Sequence, residues 1–279
     1  MKAASFDYQR PPTLQAAIRA LADAGGTAKV MGGGQSLGPM LNLRLARPKQ
    51  VVDVSALSEL RQVTPEGDSI RIGAAVTHAE IEDGVFALLR GTLLQSVAGG
   101  IAYRAIRNRG TFGGSLAHAD PAADWVLAAA ALAAQIEIAS PSGTRRVAMD
   151  RFMHGAYTTA LADGDVLSAV CVPKLGAAAR WGYFKFCRKT GEFAEASCAA
   201  VFDPERKLAR IVIGALDGAP QALPGLAAQV ARSGAMPARG EVEAAVSASA
   251  PTKDAVDRKL LVAAVERCLV QVFISEHVQ

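Results

Sequence analysis

Aromatic residues are scarce in this 279-residue chain: nine Phe, four Tyr and two Trp make up 5% of it. Binders of single-stranded nucleic acid stack successive bases on aromatic platforms, so a nucleic-acid partner is not expected. Cysteine is scarcer still. Cys171, Cys187, Cys198 and Cys268 form no Cys-x-x-Cys pair, which supports neither an iron–sulfur cluster nor a structural zinc and reads as reduced thiols. Long apolar runs are also missing. The longest uncharged apolar stretch, residues 125–134, falls far short of the roughly 20 residues of a membrane span, and the opening segment from Met1 to Asp7 has no apolar signal core. The expectation is a cytoplasmic protein without a transmembrane segment. The familiar nucleotide signatures fail too. Leu37 stands where the last glycine of Gly-x-Gly-x-x-Gly would be, and no Gly-Lys-Ser/Thr occurs.

What is present is ordinary globular material: 51% hydrophobic and 20% charged residues, enough for a sizeable core and for two or three compact units. The net charge of +4 is spread along the chain apart from two small basic clusters, residues 44–49 and 104–109. Each reads either as a solvated face or as a contact for phosphate or a partner.

The most informative stretch runs from Arg109 to Trp125 and reads Arg-Gly-Thr-Phe-Gly-Gly-Ser-Leu-Ala-His-Ala-Asp-Pro-Ala-Ala-Asp-Trp. Gly113 and Gly114 permit positive φ and close approach, with the Thr111 and Ser115 hydroxyls beside the loop amides, which is a phosphate cradle in outline. Asp120 suits an N-cap and Pro121 a first helical position, so a helix is expected over 122–134. An earlier loop, Gly32-Gly33-Gly34-Gln35-Ser36, repeats this chemistry. A lone glycine run more often punctuates a turn, whereas two such loops in one chain suggest two jaws. His118, Asp120 and Asp124 have neither the second histidine nor the spacing of a metal site. No nucleophile–base pair stands out, so no catalytic residue and no metal ligand is assigned.

These two loops resemble the FAD-binding medium subunit of the molybdenum hydroxylase family, which includes carbon monoxide, nicotine, caffeine and xanthine dehydrogenases. The family's first motif is similar to Ala-Gly-Gly-Gln/His-Ser-Leu. Its second is similar to Thr-Ile-Gly-Gly-Ser/Asn-Leu-Ala-His-Ala-Asp-Pro-Ala-Ala-Asp. Here Gly32 replaces the usual Ala and Phe112 the usual Ile or Val. A third element, residues 181–194, resembles the family's Tyr-x-Lys-x-x-Arg-Lys-Thr-Gly-Asp-Phe-Ala, with Glu192 in place of Asp.

The resemblance implies an α+β fold: a two-subdomain FAD-binding domain of the vanillyl-alcohol-oxidase-like (PCMH) type, then a three-stranded antiparallel sheet with a helical layer. The expected units are 1–55, 56–175 and 176–279. Elements read from pattern agree with this plan. A helix is expected over 13–24, strands at 28–31 and 69–74, a helix near 87–97, a hairpin around 136–147, and strands at 166–172, 196–202 and 209–215. Three closing helices are expected over 224–234, 239–248 and 252–273.

By resemblance, the residues binding FAD are Gly32, Gly33, Gly34, Gln35, Ser36, Thr111, Phe112, Gly113, Gly114, Ser115, Asp124, Leu161 and Lys185. Three of these keep a plain alternative: first-turn dipole compensation for Asp124, ordinary core for Leu161, and a surface strand lysine for Lys185. Asn108 is expected to brace the second loop, and Arg104, Arg107 and Arg109 to help contact a partner. The implied function is an electron-transfer subunit passing electrons from a 2Fe-2S subunit through FAD to an external acceptor. The 2Fe-2S clusters and the molybdopterin cofactor would lie on a small and a large partner chain, in a heterotrimer or a dimer of heterotrimers. A stand-alone flavin oxidase and a non-catalytic flavin-fold binding protein are the alternatives.

Overall fold

The computed structural model describes residues 2–274. The N-terminal segment is a small α/β layer built from β1 (Asp7–Gln9), α1 (Leu14–Asp23), β2 (Ala28–Met31), α2 (Leu37–Asn42) and β3 (Gln50–Asp53). Thr13 caps α1 by accepting a hydrogen bond from the Ala16 amide at 3.1 Å, which satisfies one of the helix's orphan donors. Gly25 and Gly26, at φ +54° and +80°, end the helix where a side chain would be strained. The three strands pair in parallel in the order β1-β3-β2. The segment between β2 and β3 holds the short helix α2 as well as a loop.

The central segment opens with β4 (Val63–Glu66), β5 (Ser69–Gly73), α3 (His78–Glu82), α4 (Leu93–Gly99), α5 (Arg104–Arg107), α6 (Phe112–His118) and α7 (Asp124–Ala131). It continues through β6 (Gln135–Ser140), β7 (Gly143–Ala148), α8 (Met149–Phe152), β8 (Met153–Gly155), β9 (Thr158–Thr159) and β10 (Val166–Pro173). Strands β4-β5-β10-β6-β7 form an antiparallel sheet. Their period-2 alternation sends Ile70, Ile72, Ile136, Ile138, Val170 and Val172 into the main core. On the opposite face Arg71 pairs with Glu137 at 2.6 Å, and Ser168 donates to the same carboxylate at 2.9 Å.

Two expected helices are cut by local chemistry. The helix expected near 87–97 is a single 3₁₀ turn followed by α4, because Gly91 at φ +68° interrupts the chain and Thr92 starts afresh as an N-cap. The helix expected over 122–134 is α7 alone. The Asp120 carboxylate accepts from the Ala122 amide at 2.9 Å, closing a turn two residues on, so Pro121 lies in that turn and Ala123 becomes the N-cap. Ala133, at φ +49°, lies beyond the far end. Every residue of α7 is buried, which an all-round apolar helix requires.

The C-terminal segment has β11 (Arg180–Phe186), β12 (Ala196–Asp203), β13 (Leu208–Gly214), β14 (Gln221–Ala222), α9 (Pro224–Ser233), α10 (Arg239–Ser249) and α11 (Ala255–Ile274). The first three strands form the expected meander, and the two-residue β14 adds a fourth through Val212 and Ile213. One face of this sheet packs on the three helices through Cys198, Ile211 and Ile213. The other face, through Ala199, Val201 and Val212, joins α7 in the main core. Ala139 and Val166 likewise share a core with Val52 and Val54, so buried contacts run across positions 55 and 175.

Helix α11 lies so close to β11 that a Cβ on Gly182 would sit 2.2 Å from the Cys268 carbonyl oxygen. Gly182→Ala is therefore expected to lower stability by about 1–3 kcal/mol through overpacking. Gly225, inside α9 with open space around it, is the control: Gly225→Ala should raise stability by about 0.5–1 kcal/mol. Urea midpoints at constant slope measure both.

Candidate cofactor site

The two glycine loops touch each other. A Cβ on Gly33 would lie 1.7 Å from the Arg109 carbonyl oxygen, and one on Gly32 would lie 2.7 Å from Thr111 Oγ1. At Gly33, which faces backbone, no side chain fits. The first loop turns at Gly34, φ +72°, and Gln35 Nε2 donates to the Gly33 carbonyl at 3.0 Å. Among the described residues, the N–H groups of Gly33, Gly34, Gln35 and Ser36 have no acceptor. Consecutive unspent amides around a left-handed residue form a nest suited to an anion.

The second loop is built differently from its expected form. Thr111 is the N-cap of α6, and Gly113 and Gly114 are helical rather than positive in φ. Their amides, with that of Phe112, are already used: Phe112 donates to the Val76 carbonyl at 2.9 Å, Gly113 to the Ala74 carbonyl at 2.9 Å, and Gly114 to Thr111 Oγ1 at 3.1 Å. Gly113 is required because a Cβ there would meet the Ala74 Cβ at 2.4 Å. Phe112 is fully buried, its ring 4.6 Å from that of Trp125. Gly114 is exposed and Ser115 half-buried, so the open side of this loop offers the Ser115 hydroxyl and the Gly114 backbone.

A buried clamp that sequence reading missed holds this loop in place. The His78 amide donates to the Gly110 carbonyl at 2.9 Å, and Thr77 forms a β-bridge to Thr111. Trp125 Nε1 donates to His78 Nδ1 at 2.9 Å, which puts the imidazole proton on Nε2. Burial, reinforced by the nearby Arg107 charge, pushes the His78 pKa down to about 3, so the ring is neutral at ordinary pH.

Trp125 is the neighbour of Asp124, the expected cofactor residue in the first turn of α7. Asp124 Oδ1 accepts from the Tyr183 hydroxyl at 2.5 Å and lies 2.9 Å from Lys185 Nζ. Lys185 is not the surface lysine of the alternative reading, its side chain being only 11% exposed. Its buried ammonium makes an ion pair without an aligned hydrogen bond, so it keeps donor capacity. Tyr183 was also missed, although it sits two residues before Lys185 on the same face of β11. Leu161 is partly buried against the main core.

Several expected roles change. Asn108 accepts from Arg104 Nε at 2.9 Å, stabilising its own helical turn rather than the glycine loop. Arg104 is paired with Glu82 and Asp83, and Arg107 with Glu82, so these two cations are already neutralised and are poor candidates for a partner contact. The His118 ring lies 5.1 Å from that of Tyr157, whose hydroxyl donates to Asp120 at 3.2 Å. Among the described residues no His, Cys, Asp or Glu cluster is suited to a metal ion, and no helix is long and apolar enough to cross a membrane.

Residues 4–175, which contain both loops and the seam, match the family model for the FAD binding domain in molybdopterin dehydrogenase. The chain belongs to this family. The medium chain of carbon monoxide dehydrogenase from Hydrogenophaga pseudoflava is 36% identical over 196 residues, 70% of this chain and 68% of that one. The nicotine 6-hydroxylase medium subunit of Paenarthrobacter nicotinovorans is 34% identical over 227 residues, 80% of this chain and 79% of that one. Among solved structures, a chain of quinoline 2-oxidoreductase from Pseudomonas putida 86 superposes with a TM-score of 0.86 at 32% identity, covering 98% of both chains. This protein is thus an FAD subunit of a molybdenum hydroxylase-type oxidoreductase, and the likeness extends through the C-terminal segment.

Two outcomes are expected of this FAD subunit. Unfolded histidine binds a proton near pH 6.5 and folded His78 only near pH 3, so the unfolded state takes up more protons between those values. Stability from this group is complete above pH 6.5 and falls on acidification by up to about 1.4 kcal/mol per pH unit. His78→Gln should flatten that part of the stability profile in denaturant titrations across pH. Asp124→Ala leaves the Lys185 ammonium buried and unpaired and should cost about 3–5 kcal/mol of stability. Adding Lys185→Met should recover most of that loss, and equal stabilities for the single and double variants would contradict the pairing.

Proposed function

We propose that this chain holds FAD non-covalently across the seam between its glycine loops and serves as the electron-transfer subunit of a heteromeric molybdenum hydroxylase. The observation that carries the reading is the row of four amides, Gly33 to Ser36, with no acceptor among the described residues. Such a nest suits a diphosphate and gives it no covalent attachment. Gly32 to Ser36 would hold the cofactor from one side, and Thr111, Gly114 and Ser115 from the other. Asp124, Lys185 and Leu161 would complete the set, with Phe112 and Gly113 supporting the loop from beneath. A buried cation such as Lys185 stabilises nearby negative charge through Coulomb attraction.

FAD supplies electron storage between the donor cluster and the final acceptor, while the protein supplies binding, orientation and potential. The proposed donor is a 2Fe-2S subunit, fed in turn by a large molybdenum subunit, and the acceptor is external. The names of the relatives as medium subunits and medium chains support this division of labour. Four free thiols support a reducing compartment, the cytoplasm.

The purified chain should be yellow, and acid precipitation should release FAD into solution. Colour retained on the pellet, or FMN in the supernatant, would overturn the reading of the nest as a diphosphate site. The isolated chain should not hydroxylate any substrate, and its flavin should be reduced by the substrate of the complex only after the iron–sulfur and molybdenum chains are added.

A further inference from the structure

Of the two basic clusters, the second is largely consumed by Glu82 and Asp83, as described above. The first remains unspent. Arg44 donates from Nε to the Lys2 carbonyl at 3.1 Å, and Arg47 from Nε to the Arg44 carbonyl at 3.0 Å. Among the described residues no carboxylate pairs with Arg44, Arg47 or Lys49, and all three are exposed.

The same loop exposes two large apolar side chains. Leu43 is 53% and Leu45 73% exposed, whereas Leu41 is buried and anchors the turn. The presentation is rigid. Leu45 and Ala46 both donate to the Met40 carbonyl, at 2.9 and 3.2 Å, and Arg44 donates to the Leu41 carbonyl at 3.0 Å. Arg44 between the leucines takes φ +59°, a conformation that non-glycine residues seldom adopt. The chain thus accepts an unfavourable backbone angle in a loop that leaves two leucines in water and carries three cations with no carboxylate partner among the described residues. Exposed apolar anchors beside free charge have the make-up of a protein interface.

Position narrows the partner. α2 begins directly after Ser36 and, at 1.5 Å per residue, carries the chain only about 9 Å before this loop. We infer that residues 43–49 are the docking loop for the chain that delivers electrons, with Leu43 and Leu45 entering apolar sockets whose rim carries carboxylates that meet Arg44, Arg47 and Lys49. An iron–sulfur cluster held by thiolates is itself anionic, which matches this sign of charge. A second copy of the chain does not, because its own loop would bring like charges together. The inference rests on the electron-transfer reading above and names the surface that the reading requires.

The test uses the FAD-loaded chain and the iron–sulfur chain of its own complex, with affinity measured at low and high salt. Leu43→Ser with Leu45→Ser should weaken binding at least tenfold, and Arg47→Glu, an exposed single change that spares the leucines, should weaken it severalfold and reduce the salt dependence. FAD content and unfolding midpoint should match wild type in both. Variants that bind within twofold of wild type would overturn the docking loop while leaving the subunit reading intact, as would loss of the molybdenum chain with the iron–sulfur chain retained. Wild type binding neither chain would overturn the subunit reading itself.

Discussion

The site depends on a place where two backbones meet with no side chain between them. Gly33 lies against the Arg109 carbonyl and Gly32 against Thr111, joining the parallel layer at the N-terminus to the larger antiparallel layer. A methyl group at Gly33 would overlap the opposing backbone. Since a carbonyl cannot swing aside as the end of a flexible side chain can, the loops would part and the nest would lose its opposing wall. The two halves of the cradle are therefore one structural unit.

The loops divide the work unequally. In the first, four amides have no acceptor among the described residues, which is costly for backbone left dry and useful only where an anion or water can take them. In the second, the equivalent amides are used to fasten the loop to Ala74, Val76 and Thr111. Rigidity on one side and unspent donors on the other give a site its geometry before any ligand arrives, so less ordering is needed on binding.

From the second loop a continuous set of buried contacts leads to the third sheet. His78 holds Gly110 and accepts from Trp125; the next residue, Asp124, accepts from Tyr183 and pairs with Lys185. Cradle, helix α7 and strand β11 are thus linked through polar contacts that tolerate little displacement. A neutral His78 is integral to this link, because a protonated ring has no lone pair to accept from the indole.

Motif and periodicity located both glycine loops, most of the longer strands and the closing helices, since these follow from local rules of turn chemistry and burial pattern; Asp124 and Lys185 were singled out only by family resemblance. The glycines were legible as necessary, but the reason for them was not: Gly113 was expected to need a positive φ and instead meets Ala74, a contact set by a distant strand. His78 was invisible as a clamp because its partner Trp125 lies 47 positions away. The basic run 104–109 read as available charge, yet its neutralisation by Glu82 and Asp83 exists only once α3 and α5 are packed together. Sequence alone determined most of the turns and the strand alternation, because those preferences act over a few residues. Tertiary structure alone decided which donors are spent and which charges remain free, because that depends on what a neighbour far along the chain brings within 3 Å.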